Sequence, residues 1–359
     1  MTGWVSVWPP LSPAAWLRRP AEPAPFPLGG PGCRLYRLGR DAVWHGVRAL
    51  GLSAGDQVLM PAYHAGPEVE ALLRAGLDVA FYAGDEDLAP DASELEGLLG
   101  PRTRMLSVVH YIGFPQQISR WRSWCDERGI LLLEDAAQAW LARGEGGPVG
   151  STGDLALWSV YKTLGTPDGA LAVCRAPLPE SRGSPGTGAP KLAKLHAAWL
   201  GQRRGGVRRL RRGGEPEEFD ASAHNELADP DRPAARATDP LLRRLSRPEL
   251  PEERRRNYRI LLGDLSEHVP PPFGELPAGA SPWFLPVRTA DKRGMIAHLA
   301  DRGIGAMDFW SVPHPALEVA AFPQVAARRA STIALPVHQE LRRRDLARIA
   351  AAALDWLER

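Results

Sequence analysis

Asp135 and Lys162 are the side chains in this sequence whose chemistry and position most strongly suggest a reaction. Asp135 directly follows residues 131–134, part of the most apolar stretch of the chain. A carboxylate at the end of a buried strand costs free energy unless a cation or hydrogen-bond donors meet it. A protonated pyridine nitrogen would be such a partner, and the carboxylate would keep the ring electron-poor. The alternative is an aspartate that caps the next helical turn.

Lys162 follows the apolar residues 155–158 and precedes a Gly- and Pro-rich turn at 165–169. Only four of the 44 Lys and Arg residues are lysines, so a reaction that needs a primary amine has few candidates. A Schiff-base lysine must lie near an aldehyde and lose its proton, which burial near a cation or in an apolar pocket promotes. The alternative is a lysine on a surface turn.

Gly39, Arg40 and Asp41 open a segment with helical periodicity and suggest a phosphate site. Helix N-termini offer free N–H groups and a favourable dipole to phosphate. The hydroxyl of Ser159, three residues before Lys162, could donate to the same phosphate. A single glycine before a helix is a weak signal, so the hypothesis depends on the order of these groups along one sheet.

Short apolar segments alternate with helical segments between residues 39 and 174 and predict the elements that position these groups. We predict strands at 57–60, 79–82, 105–109, 130–133, 155–158 and 170–173, and helices at 41–50, 67–75, 93–99 and 118–128. This alternation indicates an α/β fold with a mostly parallel sheet, in which ligands bind at the carboxyl ends of strands. Residues 61–64, His110, Asp135 and Ser159 are therefore expected near a ligand.

The length of 359 residues favours a large domain and a smaller one. We predict a large domain at 1–245, with an irregular arm at 1–38 and an irregular basic insert at 176–240, and a small C-terminal α/β domain at 246–359. Six arginines lie at 203–212. A solvated surface is the expected interpretation of this run, and a site for an anionic ligand or partner is the alternative.

The composition argues against several classes of function. The chain has no run of 18 apolar residues and no secretory signal, so we expect no membrane association. The formal net charge of +2 does not indicate nucleic-acid binding. The three cysteines, at positions 33, 125 and 174, form neither a metal-binding spacing nor a disulfide framework. We therefore expect a cytoplasmic protein without a metal site.

Several stretches of the chain together resemble the DegT-type sugar aminotransferase family. They are ALGLSAGDQVLMPAY at 49–63, LRAG at 73–76, PRTR at 101–104, VHYIG at 109–113, EDAAQ at 134–138 and ALPVH at 334–338. The resemblance covers roughly 39–174 and 283–357, and EDAAQ followed by Lys162 is its most specific part. It implies a fold-type I transferase that depends on pyridoxal 5'-phosphate (PLP), with a mostly parallel sheet, a smaller C-terminal α/β domain and a homodimeric assembly.

The resemblance also implies roles for individual residues. Lys162 would be the Schiff-base lysine, and Asp135 would pair with the pyridine nitrogen. Gln138 would lie against the cofactor ring or its oxygen. Ser159 and the backbone after Gly39 would hold the phosphate, with Arg40 and Asp41 in the same cofactor-binding set.

Two departures from the family pattern concern the phosphate site. Ser159 and Lys162 are separated by two residues fewer than usual. Arg40 replaces the usual threonine after the glycine, and would either grip the phosphate bidentately or point to solvent.

Two further departures concern the ring and the substrate. The aromatic residue that often stacks on the cofactor falls at Ala65, so His64 or Tyr63 would cover the ring instead. The Asn/Tyr/Arg-rich segment between the domains is not recognisable in 176–240.

Five side chains are candidates for substrate contacts: Tyr63, His110, Tyr111, Trp310 and His314. His110 and Tyr111 follow a predicted strand, and packing in the core is an equal expectation for His110. Trp310 and His314 lie in the stretch WSVPHP at 310–315, for which a structural loop is the alternative.

These features predict a PLP-dependent aminotransferase. It would move an amino group from glutamate to a keto sugar or related carbonyl compound in glycan or natural-product biosynthesis. One alternative is another PLP reaction on the same scaffold, such as dehydration or cyclisation. The other is a non-catalytic relative that binds PLP or a sugar. The expected partners are a small-molecule amino donor, a keto acceptor and a second copy of the chain.

Overall fold

The computed structural model describes residues 3–204 and 225–359, and these residues form an α/β fold around a seven-stranded sheet. The strand order is β1-β9-β8-β5-β4-β2-β3. These strands are β1 (Arg34–Tyr36), β2 (Gln57–Pro61), β3 (Asp78–Tyr82), β4 (Thr103–Val109), β5 (Leu131–Asp135), β8 (Leu155–Trp158) and β9 (Ala170–Cys174). A short hairpin between β5 and β8 consists of β6 (Arg143–Gly144) and β7 (Gly147–Pro148).

The sheet is mostly parallel, as the sequence predicts. Strands β8, β5, β4, β2 and β3 run in one direction, whereas β9 is antiparallel to β8 and β1 is antiparallel to β9. Successive residues of a strand face opposite sides of the sheet. Leu132 packs in one apolar cluster and Leu133 in another, so both faces of β5 are covered. This is why apolar residues stand at successive positions of the strand.

The register of the parallel strands brings the expected chemical groups to one edge. Val109 of β4 pairs with Asp135 of β5, and Asp135 pairs with Leu157 of β8. The three strands therefore end level with one another. Residues that follow them, including His110 and Ser159, emerge at the same edge of the sheet.

Helices cover both faces of the larger sheet. In the described ranges they are α1 (Gly39–Ala49), α2 (Pro67–Arg74), α3 (Ala92–Leu98), α4 (Ile118–Arg128) and the single turn α5 (Val160–Thr163). Helix α1 packs closely on β8, because a Cβ at Gly46 would lie 2.3 Å from Leu155 Cδ2. This close packing places the start of α1 beside the carboxyl end of β8.

The C-terminal part has an antiparallel sheet of three strands in the order β10-β12-β11. The strands are β10 (Phe284–Arg288), β11 (Met307–Asp308) and β12 (Thr332–Pro336). The described helices after α5 are α6 (Ala189–Arg204), α7 (Thr238–Leu245), α8 (Leu250–Leu265), α9 (Lys292–Asp301), α10 (Pro323–Ser331) and α11 (Arg343–Leu357). Leu261, Leu285, Leu335 and Ile349 are fully buried where α8 and α11 pack on this sheet.

The N-terminal arm has more regular structure than expected. Arg34–Tyr36 forms β1 because β9 would otherwise expose an edge of unpaired backbone groups. Upstream, Ser12 caps a short 3-10 helix, Pro13–Leu17, by accepting the N–H of Ala14. Val5 is fully buried and bridges to Ile304 of the C-terminal part. The arm therefore runs between the larger and the smaller sheet.

The segment 176–240 also contains more helix than expected, since α6 and the start of α7 lie within it. Residues 176–188 form a loop. Most of the arginine run at 203–212 lies outside the described residues. In the part of the chain that the structure describes, no helix combines the length and the apolar character needed to cross a membrane.

Candidate active site

A cavity of about 610 Å³ opens at the carboxyl ends of β5 and β8. This volume is in the range of small-molecule sites, which is roughly 300–1,000 Å³. The wall formed by the larger sheet and its helices includes Gly39, Arg40, Glu68, Asp135, Ser159 and Lys162. The facing wall, from the arm and the C-terminal part, includes Trp8, Trp283, Met307, Trp310 and Val312.

Lys162 lies on α5, the single helical turn after β8, and is half-buried. Its Nζ lies 5.0 Å from the centre of the Trp283 ring, a favourable cation–π separation. The buried Arg254 donates from Nη2 to the carbonyl of Thr163 (3.3 Å) and from Nη1 to that of Pro282 (3.0 Å). One guanidinium thus ties the lysine-bearing turn to the residue before Trp283.

Asp135 ends β5 and is buried at the cavity wall. Its Oδ1 accepts the N–H of Ala137 (2.9 Å), which holds the carboxylate in place. Burial and, second, the negative charge of Glu68 raise the pKa of Asp135 to about 6. The charge of Lys162 and the hydrogen bond from Ala137 act in the opposite direction. The carboxylate would therefore gain stability from a cation placed against it.

Gln138 lies on the turn after β5 and lines the cavity. Its Oε1 accepts the N–H of Ile112 (2.7 Å), which follows β4. Ile112 has a left-handed backbone, with φ at 54°, which is rare for a β-branched residue. The hydrogen bond joins the two turns and fixes the amide of Gln138 at the wall.

The N-terminus of α1 meets the end of β8 at another side of the cavity. A Cβ at Gly39 would lie 2.8 Å from Ser159 Oγ, so the glycine allows the helix to approach the hydroxyl. The first N–H groups of a helix lack intrahelical acceptors, and the helix dipole favours negative charge there. Gly39, Arg40 and Ser159 therefore line a place that suits a phosphate group.

Arg40 and Asp41 have different surroundings. Arg40 lines the cavity, its Nη1 donates to the carbonyl of Glu226 (2.6 Å), and burial lowers the pKa of its guanidinium. Asp41 lies behind the cavity wall and accepts the N–H of Leu38 (3.0 Å), which stabilises the first turn of α1. Burial raises the pKa of Asp41 to about 7. Its geometry is that of a helix cap.

Residues 38–177 match the sequence model of the DegT/DnrJ/EryC1/StrS aminotransferase family. The matched span contains Gly39, Asp135, Gln138, Ser159 and Lys162, which line one cavity. This stretch of the chain therefore resembles a DegT-type aminotransferase. The match and the transaminase relatives support an aminotransferase with PLP as its cofactor.

Individual relatives are consistent with this family. The chain is 28% identical over 338 residues to a dTDP-3-amino-3,4,6-trideoxy-alpha-D-glucose transaminase of Streptomyces venezuelae, covering 89% of this chain and 82% of that one. It is 32% identical over 148 residues to a UDP-N-acetyl-3-dehydro-alpha-D-glucosamine 3-aminotransferase of Acidithiobacillus ferrooxidans, covering 40% and 39%. The PLP form of Spr1654 from Streptococcus pneumoniae has the same fold, with a TM-score of 0.70, 16% identity and 99% coverage of both chains.

The cavity has a donor set that fits PLP. It combines the amine of Lys162, the carboxylate of Asp135 and the phosphate-suited surface of Gly39 and Ser159. The close approach of Gly39 to Ser159 leaves no space for a side chain, so the helix N–H groups stay accessible. The short spacing between Ser159 and Lys162 is accommodated because Ser159 directly precedes the turn α5, and both side chains line the cavity.

Tyr63 and His64, expected to cover the ring, lie outside the cavity lining formed by the described residues. His64 is fully buried and stacks on Phe81 at 5.2 Å. Tyr63 packs against Trp310 at 5.1 Å, one layer behind the wall. Ala65 lines the cavity, so a methyl group occupies the position at which the family often has an aromatic ring.

His110 and Tyr111 also pack behind the wall that the described residues form. His110 Nε2 lies 3.2 Å from Glu134 Oε2, and its Nδ1 accepts the N–H of Gln116 (3.0 Å). The hydroxyl of Tyr111 donates to the carbonyl of Tyr63 (2.7 Å). Both side chains are buried and have partners within the core, which favours a packing role over substrate contact.

Trp310 lines the cavity, whereas His314 does not lie among its described lining residues. Trp310 has a left-handed backbone (φ 57°) and stacks on Phe309 at 4.5 Å. Arg329 donates to the Trp310 carbonyl (2.7 Å) and so holds this unusual conformation. His314 Nε2 lies 3.0 Å from Glu70 Oε2 on α2, a contact that joins the two parts of the molecule.

Sequence reasoning missed Glu68, Trp8 and Trp283, which line the cavity. Glu68 lies in the first turn of α2, and its Oε1 accepts the N–H of Ala65 (2.9 Å). Its place in the first turn of the helix that follows β2 could have indicated a position near the ligand. The two tryptophans offered no such signal, because they approach the cavity through contacts between distant segments.

We expect the Glu68→Gln variant to remain active at lower pH than the wild type. The change removes one cause of the raised pKa of Asp135, while the amide oxygen can still accept the Ala65 N–H. A lower pKa keeps Asp135 ionised further into the acid range, where the positive charge of Lys162 also favours ionisation. The acid limb should move down by on the order of one pH unit or less.

The measurement is the pH profile of kcat/KM together with the pH dependence of the visible absorbance of the holoenzyme. Glu70→Gln is the matched control, because Glu70 lies on the same helix and contacts His314 rather than Asp135. Coincident profiles for wild type and Glu68→Gln would show that the charge of Glu68 does not act on Asp135.

Proposed function

We propose that this enzyme transfers the amino group of glutamate to the keto group of a nucleotide-linked sugar. The observation that carries the proposal is the convergence of Lys162, Asp135 and the N-terminus of α1 on one cavity. The S. venezuelae relative is named for a dTDP-linked amino sugar and the A. ferrooxidans relative for a UDP-linked one. Their names support a nucleotide-linked acceptor and leave the base unassigned.

Lys162 is the residue to which we assign the covalent attachment and the proton transfers. Its amine would hold the carbonyl carbon of PLP and be released when the donor amine takes its place. Once free, Nζ would take a proton from the donor carbon as a base and later return a proton as an acid. When bound, PLP supplies a conjugated ring that accepts the electron pair left by that proton.

The other polar groups of the cavity would hold and orient the cofactor. Asp135 would pair with the ring N–H, which offsets the cost of its buried negative charge. Ser159 Oγ and the N–H groups of Gly39 and Arg40 would donate to the phosphate. Gln138, held by its hydrogen bond to Ile112, would present a fixed amide to the ring.

We further propose that the enzyme is a homodimer. Trp16, Leu17 and Phe26 of the arm expose 38%, 87% and 38% of their surface. A second copy that covers these residues would remove that apolar surface from water. Light scattering of the purified protein distinguishes the dimer from the monomer.

A cytoplasmic location is supported by the state of the cysteines. Burial raises the pKa of Cys33 to about 11 and that of Cys125 to about 12, so both remain thiols at neutral pH. Cys174 is also a free thiol. Free thiols are typical of proteins from a reducing compartment.

The decisive experiment is the absorbance spectrum of the holoenzyme before and after addition of L-glutamate. Conversion of the visible PLP band to the shorter-wavelength pyridoxamine band would support the donor half of the reaction. Recovery of the visible band with a nucleotide-linked keto sugar would support the acceptor half. A PLP band that no amino donor changes would contradict transamination.

A further inference from the structure

The N-terminal arm reaches the active-site cavity, where Trp8 forms part of the wall. The arm is anchored just before this residue. The N–H of Val5 donates to the carbonyl of Gly303 (2.8 Å). The ring of His338 lies with Nε2 2.9 Å from the carbonyl of Ser6. These contacts with the C-terminal part hold the arm in place and give Trp8 a defined position.

Trp8 belongs to a wall of indoles that faces the catalytic groups. Its ring lies 5.5 Å from that of Trp283, with an angle of 49° between the planes, and 5.9 Å from that of Phe284. Trp283 in turn lies 5.0 Å from Lys162 Nζ. Trp310 lines the same side of the cavity. One aromatic ring therefore separates Trp8 from the reacting amine.

The polar side chains on this wall, Asp308 and Ser311, interact with each other and with Lys292. Lys292 Nζ donates to Ser311 Oγ (2.6 Å) and to the carbonyl of Arg329 (2.7 Å), and it forms an ion pair with Asp308. Ser311 also donates to Asp308. Apart from the indole N–H of Trp283, which has no hydrogen-bond partner among the described residues, the wall therefore offers a ligand chiefly aromatic surface.

We propose that Trp8 is a specificity-determining residue that contacts the sugar ring of the acceptor. The inference rests on the proposed function, because it requires an acceptor whose keto carbon lies beside Lys162 when it is aminated. With that carbon beside the lysine, the remainder of the sugar ring extends along the wall past Trp283 toward Trp8. An indole packs its broad apolar face on the C–H face of a sugar and excludes water there. The short amino acid donor makes its polar contacts nearer to Lys162 and gains little from an indole.

The experiment compares the holoenzymes of Trp8→Ala and Trp8→Phe with the wild type. In Trp8→Ala we expect the PLP absorbance and the rate of the half-reaction with glutamate to stay at wild-type levels. The KM for a nucleotide-linked keto sugar should rise roughly tenfold, with a smaller change in kcat. Calorimetry with an unreactive nucleotide-linked hexose should show the same loss of affinity. Trp8→Phe should regain most of it, because a ring is restored.

Trp356→Ala is the matched control, since Trp356 is also half-buried but lies on α11, away from the cavity. It should leave the KM for the sugar unchanged. If the wild type aminates the sugar and Trp8→Ala has an unchanged KM for it, the inference about Trp8 is wrong and the proposed function stands. Equal loss of PLP binding and of both half-reactions in Trp8→Ala would indicate a structural role and also overturn it. A wild type that aminates no nucleotide-linked sugar overturns the proposed function and this inference together.

Discussion

Replacement of Lys162 by alanine or by arginine is expected to abolish covalent attachment of PLP and to lower transaminase activity by about 10³-fold or more. Alanine removes the amine, and the guanidinium of arginine stays protonated and is a poor nucleophile. Arg254 binds the backbone next to Lys162 and not its side chain, so the turn should keep its conformation in both variants. The measurements are the visible absorbance and the incorporation of label after borohydride reduction.

Lys191→Ala is the matched control, because Lys191 is exposed on α6 and lies away from the cavity. It should retain reducible cofactor and full activity. The thermal unfolding midpoint of the Lys162 variants should remain near that of the wild-type apoprotein. Reducible cofactor in either Lys162 variant would show that another amine holds PLP.

Asp135→Asn is expected to lower kcat by about 10²- to 10³-fold while PLP remains attached to Lys162. An amide cannot balance the charge of a protonated ring nitrogen, so the ring would withdraw electrons less strongly. Asp135→Glu keeps the charge and should retain more activity than Asp135→Asn. Asp78→Asn serves as control, because Asp78 is half-exposed at the start of β3 and pairs with Arg102.

The same Asp135→Asn change is expected to stabilise the apoprotein at neutral pH. Burial first, and then the charge of Glu68, raises the folded-state pKa of Asp135 to about 6, above its ordinary value of 3.8. As the pH rises from 3.8 to about 6, the folded state loses stability relative to the unfolded state. The reason is that the carboxyl of Asp135 ionises readily in the unfolded chain, whereas burial opposes its ionisation in the folded one. The gain above pH 6 should be on the order of 2 to 3 kcal/mol, measured by urea unfolding of the apoproteins.

Bound PLP should reverse this order of stability, because the ring nitrogen would compensate the carboxylate of the wild type. Loss of activity together with a less stable apoprotein would contradict the proposed pairing and indicate a structural carboxylate. The combination of a more stable apoprotein and a slower enzyme is therefore the diagnostic result.

The elements around the cofactor could be predicted from local sequence. The apolar residues before Asp135 and Lys162 form β5 and β8, since strands covered on both faces are apolar throughout. The carboxyl ends of parallel strands lie at one edge of the sheet. Two residues at the ends of such strands could therefore be predicted to lie at that edge. The position of Gly39 could be predicted in the same way, because the start of a helix is visible in the local sequence.

Tyr63, His64, His110 and Tyr111 show where this logic fails. Each follows a strand end at the correct edge, yet each side chain packs behind the cavity wall. Which way a side chain points after a strand depends on the backbone of the turn and on partners elsewhere in the chain. For His110 the partner is the buried Glu134.

The sequence by itself determined the α/β fold and the family resemblance, and it predicted that Lys162 and Asp135 line one cavity. These depend on short-range periodicity and on the shared direction of parallel strands. Only the tertiary structure decided the aromatic wall of the cavity, because Trp8 and Trp283 are distant in sequence and meet at 5.5 Å where the arm packs on the C-terminal part. It also decided the influence of Glu68 on Asp135, since the interaction of two charges depends on their separation and burial.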